Sequence, residues 1–144
     1  MKKIFAVMTL MICFLMLHTT YVMASSLPVE GFEITGGINT SKEVSTTFDS
    51  SRIISGNAEK GADVSIYVYK PGENGNTLLN SYTLTVGTTG IFSQCVNLYE
   101  GSNYIVICAD KDNKHSEFST TINRKGKVIK AVLSQYIALP GKSL

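Results

Sequence analysis

The chain has 144 residues, with 13 basic and 11 acidic side chains, two histidines, three cysteines and no tryptophan. That length admits one domain with a real core and excludes two large ones. All the acids precede Arg124 while basic residues gather after it, so the body lacks the basic surface that nucleic-acid binding needs.

At the N-terminus Lys2 and Lys3 precede an apolar run from Ile4 to Leu17, and a polar stretch then ends in Val22-Met23-Ala24. This is the pattern of a secretory signal peptide, residues 1–24, with cleavage expected before Ser25. The run is shorter than the about 20 apolar residues of a comfortable membrane span. Ile12, directly before Cys13, does not suit lipid attachment, which wants a small residue there. After a short linker, residues 25–31, the charge is segregated. Residues 25–123 hold six basic and eleven acidic groups, whereas Arg124, Lys125, Lys127, Lys130 and Lys142 follow with no acid. Such a split suggests docking of the tail on the body or an anionic partner for the tail.

Period-two alternation punctuated by glycine predicts about seven short strands in an all-β body. Phe32 to Ile38 and Val44 to Phe48 read as one broken strand, and Arg52 to Gly56 as the second. In the third, Val64, Ile66 and Val68 share one face and Ser65, Tyr67 and Tyr69 the other. Pro71-Gly72-Glu73-Asn74-Gly75-Asn76 reads as a loop. Leu78 to Val86 aligns Tyr82, Leu84 and Val86, a turn lies between Gly87 and Gly90, and the next strand aligns Phe92, Gln94, Val96 and Leu98. Tyr104 to Asp110 places Ile105, Ile107 and Ala109 inward, and Phe118 to Arg124 closes the body. Recurrent glycines and β-branched residues argue against helix here.

The ordered set Ile54-Ser55-Gly56, Gly61-Ala62-Asp63-Val64, Val86-Gly87 with Gly90-Ile91-Phe92, Leu98 with Gly101 and Asn103, Ala109-Asp110, and Ile122 with Arg124-Lys125 resembles a bacterial immunoglobulin (Ig)-like domain. The resemblance spans residues 32–125 and is to modules found beside polysaccharide hydrolases and subtilisin-type proteases in secreted Gram-positive proteins. It implies an Ig-like β-sandwich that acts as a spacer or binding module and carries no active site of its own.

An inventory of reactive groups points the same way, because acid–base and nucleophilic catalysis need partners that meet in space. The only histidine after the signal, His115, reads as part of the loop between the last two strands, too distant for chemistry with Cys95 or Cys108. Asp110 and Asp112 hint only weakly at calcium, since Lys111 and Lys114 intervene and no glycine-plus-glutamate pattern completes the loop. No catalytic residue, cofactor or metal ligand is assigned. Export permits a disulfide, yet with Phe92 and Ile107 inward both thiols face outward. In a sandwich they then sit on different sheets, beyond the about 7 Å Cα separation that a bridge tolerates. Free thiols are expected; a plain hairpin would instead bring the two face to face.

Outward Tyr67, Tyr69 and Tyr104 are placed on adjoining strands and form a candidate aromatic platform, suited to stacking on extracellular glycans or to lying beneath the tail. The tail, residues 126–144, changes period. Val128, Val132 and Tyr136 make one helical stripe and Ile129, Leu133 and Ile137 the next, predicting an amphipathic helix over 127–138 that Pro140-Gly141 ends. Its apolar side calls for a partner: the domain's own sheet, another subunit, or an anionic membrane surface. Leu139-Pro140-Gly141-Lys142 lacks the threonine of a sortase signal. The sequence is therefore read as a secreted, non-catalytic module of the bacterial exterior for protein–protein or surface-structural interaction. The alternative is glycan binding through the three tyrosines.

Overall fold

Alternating side chains bury one face of each strand, and two such faces close on one another. A computed structural model describes residues 26–137, with the side chains of residues 135–137 excepted. The proposed signal peptide, Cys13, the Tyr136 and Ile137 side chains and residues 138–144 lie outside the described residues. Among the described residues there are eight strands: β1 (Glu33–Gly36), β2 (Val44–Thr47), β3 (Ser51–Asn57), β4 (Asp63–Lys70), β5 (Thr77–Thr85), β6 (Ile91–Asn97), β7 (Gly101–Lys111) and β8 (Lys114–Arg124). They form a three-stranded sheet ordered β1-β3-β6 and a five-stranded sheet ordered β2-β8-β7-β4-β5. Helix α1 (Lys127–Ile137) follows β8. The fold is an all-β sandwich with a short C-terminal helix.

The core lies between the sheets. Val64, Ile66 and Val68 of β4, Ile105, Ile107 and Ala109 of β7 and Ile122 of β8 are fully buried, and with Ile54, Phe92, Val96 and Leu98 they form a single cluster. Each large aliphatic side chain so buried contributes about 1.5–3 kcal/mol relative to exposure. Gly56 pairs with Phe92 across β3 and β6, and any Cβ there would collide with the Phe92 ring and the Glu33 carbonyl, so only glycine fits. Asn103 is buried inside, as are the polar residues Thr47 and Thr120. Its Nδ2 donates to the carbonyls of Tyr99 (2.8 Å), Gly101 (3.1 Å) and Ile122 (3.2 Å), while Oδ1 accepts from the Tyr99 amide (2.8 Å), which pins the β6–β7 connection to β8.

Three expectations change. The single broken strand at 32–48 is two strands in different sheets: Gly37, at φ 81°, ends the first run, β1 pairs antiparallel with β3, and β2 pairs parallel with β8. The stretch read as a linker is partly built into the sandwich, with Val29 buried and its amide donating to Ser116 Oγ at 2.9 Å. The last strand starts at Lys114 rather than Phe118, so the expected loop shrinks to the two-residue turn Asp112-Asn113. Asp112 takes φ 51° there, a left-handed conformation that aspartate tolerates better than most residues. Residues 114–117 show no apolar alternation. Their strand is held by backbone pairing to β7 and by the His115 amide, which donates to the Leu27 carbonyl at 2.8 Å.

Candidate functional site

The outer face of the five-stranded sheet carries most of the chemistry. Tyr67 and Tyr69 stand two residues apart on β4, and Tyr69 pairs directly with Tyr104 of β7. Ring centroids are 6.3 Å apart for Tyr67–Tyr69, tilted by 34°, and 6.3 Å for Tyr69–Tyr104, tilted by 39°. The three predicted residues thus form one continuous row, half-buried and facing away from the core. Tilts this shallow let the rings form a row and differ from edge-to-face packing.

Farther along the same face the β7–β8 register brings together residues that the sequence alone had kept apart. Cys108 lies opposite Glu117, and Asp110 opposite His115. His115 is therefore on a strand, not in a loop, and the expectation that it is too distant from Cys108 is corrected. Ligand atoms of Cys108, His115 and Glu117 all lie within 4.8 Å of one another. His115 Nδ1 lies 2.6 Å from Asp110 Oδ1 and, a carboxylate being an acceptor, donates to it. Its Nε2 is left facing Glu117 Oε2 at 4.0 Å. Burial pushes the Cys108 thiol pKa up, and the Glu117 and Asp110 carboxylates push it the same way. Glu117 is not among the residues that the sequence singles out. The signal that points to it is the turn-forming pair Asp112-Asn113: a two-residue hairpin there sets 108 against 117 and 110 against 115.

Other expected positions fall as follows. Among the described residues Cys95 and Cys108 are free thiols, on β6 and β7 and hence in different sheets, so the hairpin alternative does not occur. Asp112 is at the turn and exposed, while Asp110 is engaged by His115. Below the hairpin, Glu59 bonds Lys111 and also Lys114 (3.1 Å), and these two bonds hold its carboxyl below the usual glutamate range.

Helix α1 presents Val128, Ile129, Val132 and Leu133 at 77%, 48%, 45% and 47% exposure, so the sandwich does not cover them. Lys127 and Lys130 occupy its first turn, where positive charge opposes the helix dipole. Lys130 is among the charges that lower the Asp49 pKa, behind hydrogen bonds from Thr47 and Arg52. The tail's charge thus reaches the body although its apolar side does not. None of the described helices is long and apolar enough to cross a membrane. Compared with known proteins, the chain matches no family model, no curated protein and no solved structure.

Proposed function

We propose that the protein is a secreted, non-catalytic bacterial Ig-like module that works by protein–protein or surface-structural contact at the cell exterior. The observation that carries this reading is the exposed apolar side of α1. An eleven-residue helix is marginal alone in water, and four exposed aliphatic side chains on it make an anchor surface of the kind that docks in a partner's groove. Export is supported by the run from Lys2 to Ala24, and the Ig-like reading by the ordered glycine and aliphatic motifs together with the two-sheet architecture.

A second reading, glycan binding, is favoured by the Tyr67–Tyr69–Tyr104 row, whose spacing and shallow tilts suit stacking against successive apolar sugar faces. Co-sedimentation of the exported protein separates the two. On the first reading it pellets with intact cell envelopes but not with protease-stripped ones, and Val128→Asp with Val132→Asp abolishes this. On the second it pellets with purified peptidoglycan or polysaccharide, and Tyr67→Ala with Tyr69→Ala abolishes that. Retention on neither material defeats both readings.

A further inference from the structure

The hairpin between β7 and β8 builds a square of four side chains on the solvent side of the sheet: Cys108 and Asp110 on one strand, Glu117 and His115 on the other. Directly opposed strand positions hold their Cβ atoms about 4.5–5.5 Å apart, close enough for side chains of this length to converge on one point. Three of them do, with Cys108 Sγ, a His115 ring nitrogen and a Glu117 carboxylate oxygen all within 4.8 Å of one another. The fourth, Asp110, engages the far side of the imidazole. Its carboxylate accepts a hydrogen bond from Nδ1–H, which leaves Nε2, 4.0 Å from Glu117 Oε2, as the nitrogen free to coordinate. A carboxylate behind a histidine is the usual way of orienting an imidazole for a metal ion.

We propose that Cys108, His115 and Glu117 form a site for a zinc-class divalent cation, with Asp110 as the positioning residue for His115 and the fourth coordination position open to solvent. One sulfur, one imidazole nitrogen and one carboxylate oxygen suit a borderline-soft ion and not calcium or magnesium, which take oxygen ligands. Bonds to zinc of about 2.0–2.3 Å require the donors to draw in to about 3–4 Å of one another. Glu117, whose side chain is 53% exposed, has the freedom to make that adjustment by rotation. On binding, the Cys108 thiol loses its proton to solvent and coordinates as thiolate, while His115 coordinates through Nε2 with Nδ1–H hydrogen-bonded to Asp110.

The same groups invite comparison with a cysteine nucleophile, a histidine base and an orienting aspartate. Electrostatics separates the two ideas. Two carboxylates stand beside Cys108, Glu117 directly opposite it and Asp110 two residues along the same strand, a negative setting that suits a bound cation and does nothing to support a thiolate nucleophile. The site is also on an open sheet face, so its free position is available to water or to a donor group from another molecule. This inference does not depend on the interaction module proposed above.

The test is titration of the purified, reduced full chain with zinc by calorimetry and with cobalt by absorption spectroscopy. The expected result is one equivalent of zinc, a thiolate-to-cobalt charge-transfer band in the near ultraviolet, and no comparable response to calcium. Cys108→Ser and His115→Ala each remove the band, whereas Cys95→Ser leaves it. Asp110→Asn keeps the band but weakens affinity by about 10–100-fold. All four positions face outward, and far-ultraviolet circular dichroism checks that each variant folds. The site is overturned by a wild-type chain without the band, by a band that survives Cys108→Ser in a folded protein, or by equal affinity for calcium.

Discussion

The two sheets turn very different outer faces to solvent although the same alternation builds both. On the three-stranded sheet the outward positions pair small and simple groups, Ser55 with Ser93 and Ile53 with Cys95. On the five-stranded sheet they hold the tyrosine row and the Cys108–His115–Glu117–Asp110 square. Each face carries one thiol, yet Cys95 is exposed beside Ile53 while Cys108 is half-buried beside two carboxylates and an imidazole. Strand neighbours, and not the strand itself, decide what an outward residue can do. The wider sheet has more neighbours to offer, because its three central strands are each flanked on both sides.

The inner and outer faces should separate most sharply in stability. Ile107→Ala empties part of the packed core and is expected to cost about 2–5 kcal/mol. Ile53→Ala, on the outer face at 62% exposure, should change stability by about 0.5 kcal/mol or less. Urea denaturation of the two variants measures both, and similar costs would mean that the faces are not distinct in packing.

A smaller effect sharpens the contrast between the thiols. Alkylation at neutral pH should modify Cys95 first and Cys108 at least several-fold more slowly, because the raised Cys108 pKa leaves less thiolate and burial restricts access. Peptide mass mapping over time reads the two rates, and the reverse order would show that the carboxylates do not govern Cys108.

The smallest expected effect tests the lock beneath the hairpin that carries the square. The Glu59 pKa is lowered by hydrogen bonds from Lys111 and Lys114, so its contribution is present above the unfolded glutamate pKa and is lost as pH falls through the lower folded value. Thermal melts from neutral to acid pH should therefore fall less steeply for Glu59→Gln than for the parent. Parallel curves would mean that the lysine contacts add nothing in solution, as is common for exposed ion pairs.

The all-β class was legible in single segments. Val64-Ser65-Ile66-Tyr67-Val68-Tyr69 and Tyr104 to Asp110 state which side chains face the core, and that assignment also placed the three tyrosines outward and on neighbouring strands. The Val128 to Ile137 stripe announced a helix by its change of period. The polar run 114–117 was not legible as a strand, since it carries no apolar alternation and its hydrogen bonds come from β7 and from Leu27 and Val29, far away in the chain. The split of 32–48 between two sheets was hidden for a similar reason, because β2 is defined by its parallel partner β8, some 75 residues later in the chain.

Local sequence by itself determined the inward and outward faces, the turns and the helix, because side-chain alternation and backbone conformational preference act over a few residues. Only the tertiary structure decided register and neighbourhood. Whether Cys108 meets Glu117, and whether His115 is held by Asp110, depends on how two strands align across a two-residue turn. A slip of a single residue there would send half of these side chains to the opposite face.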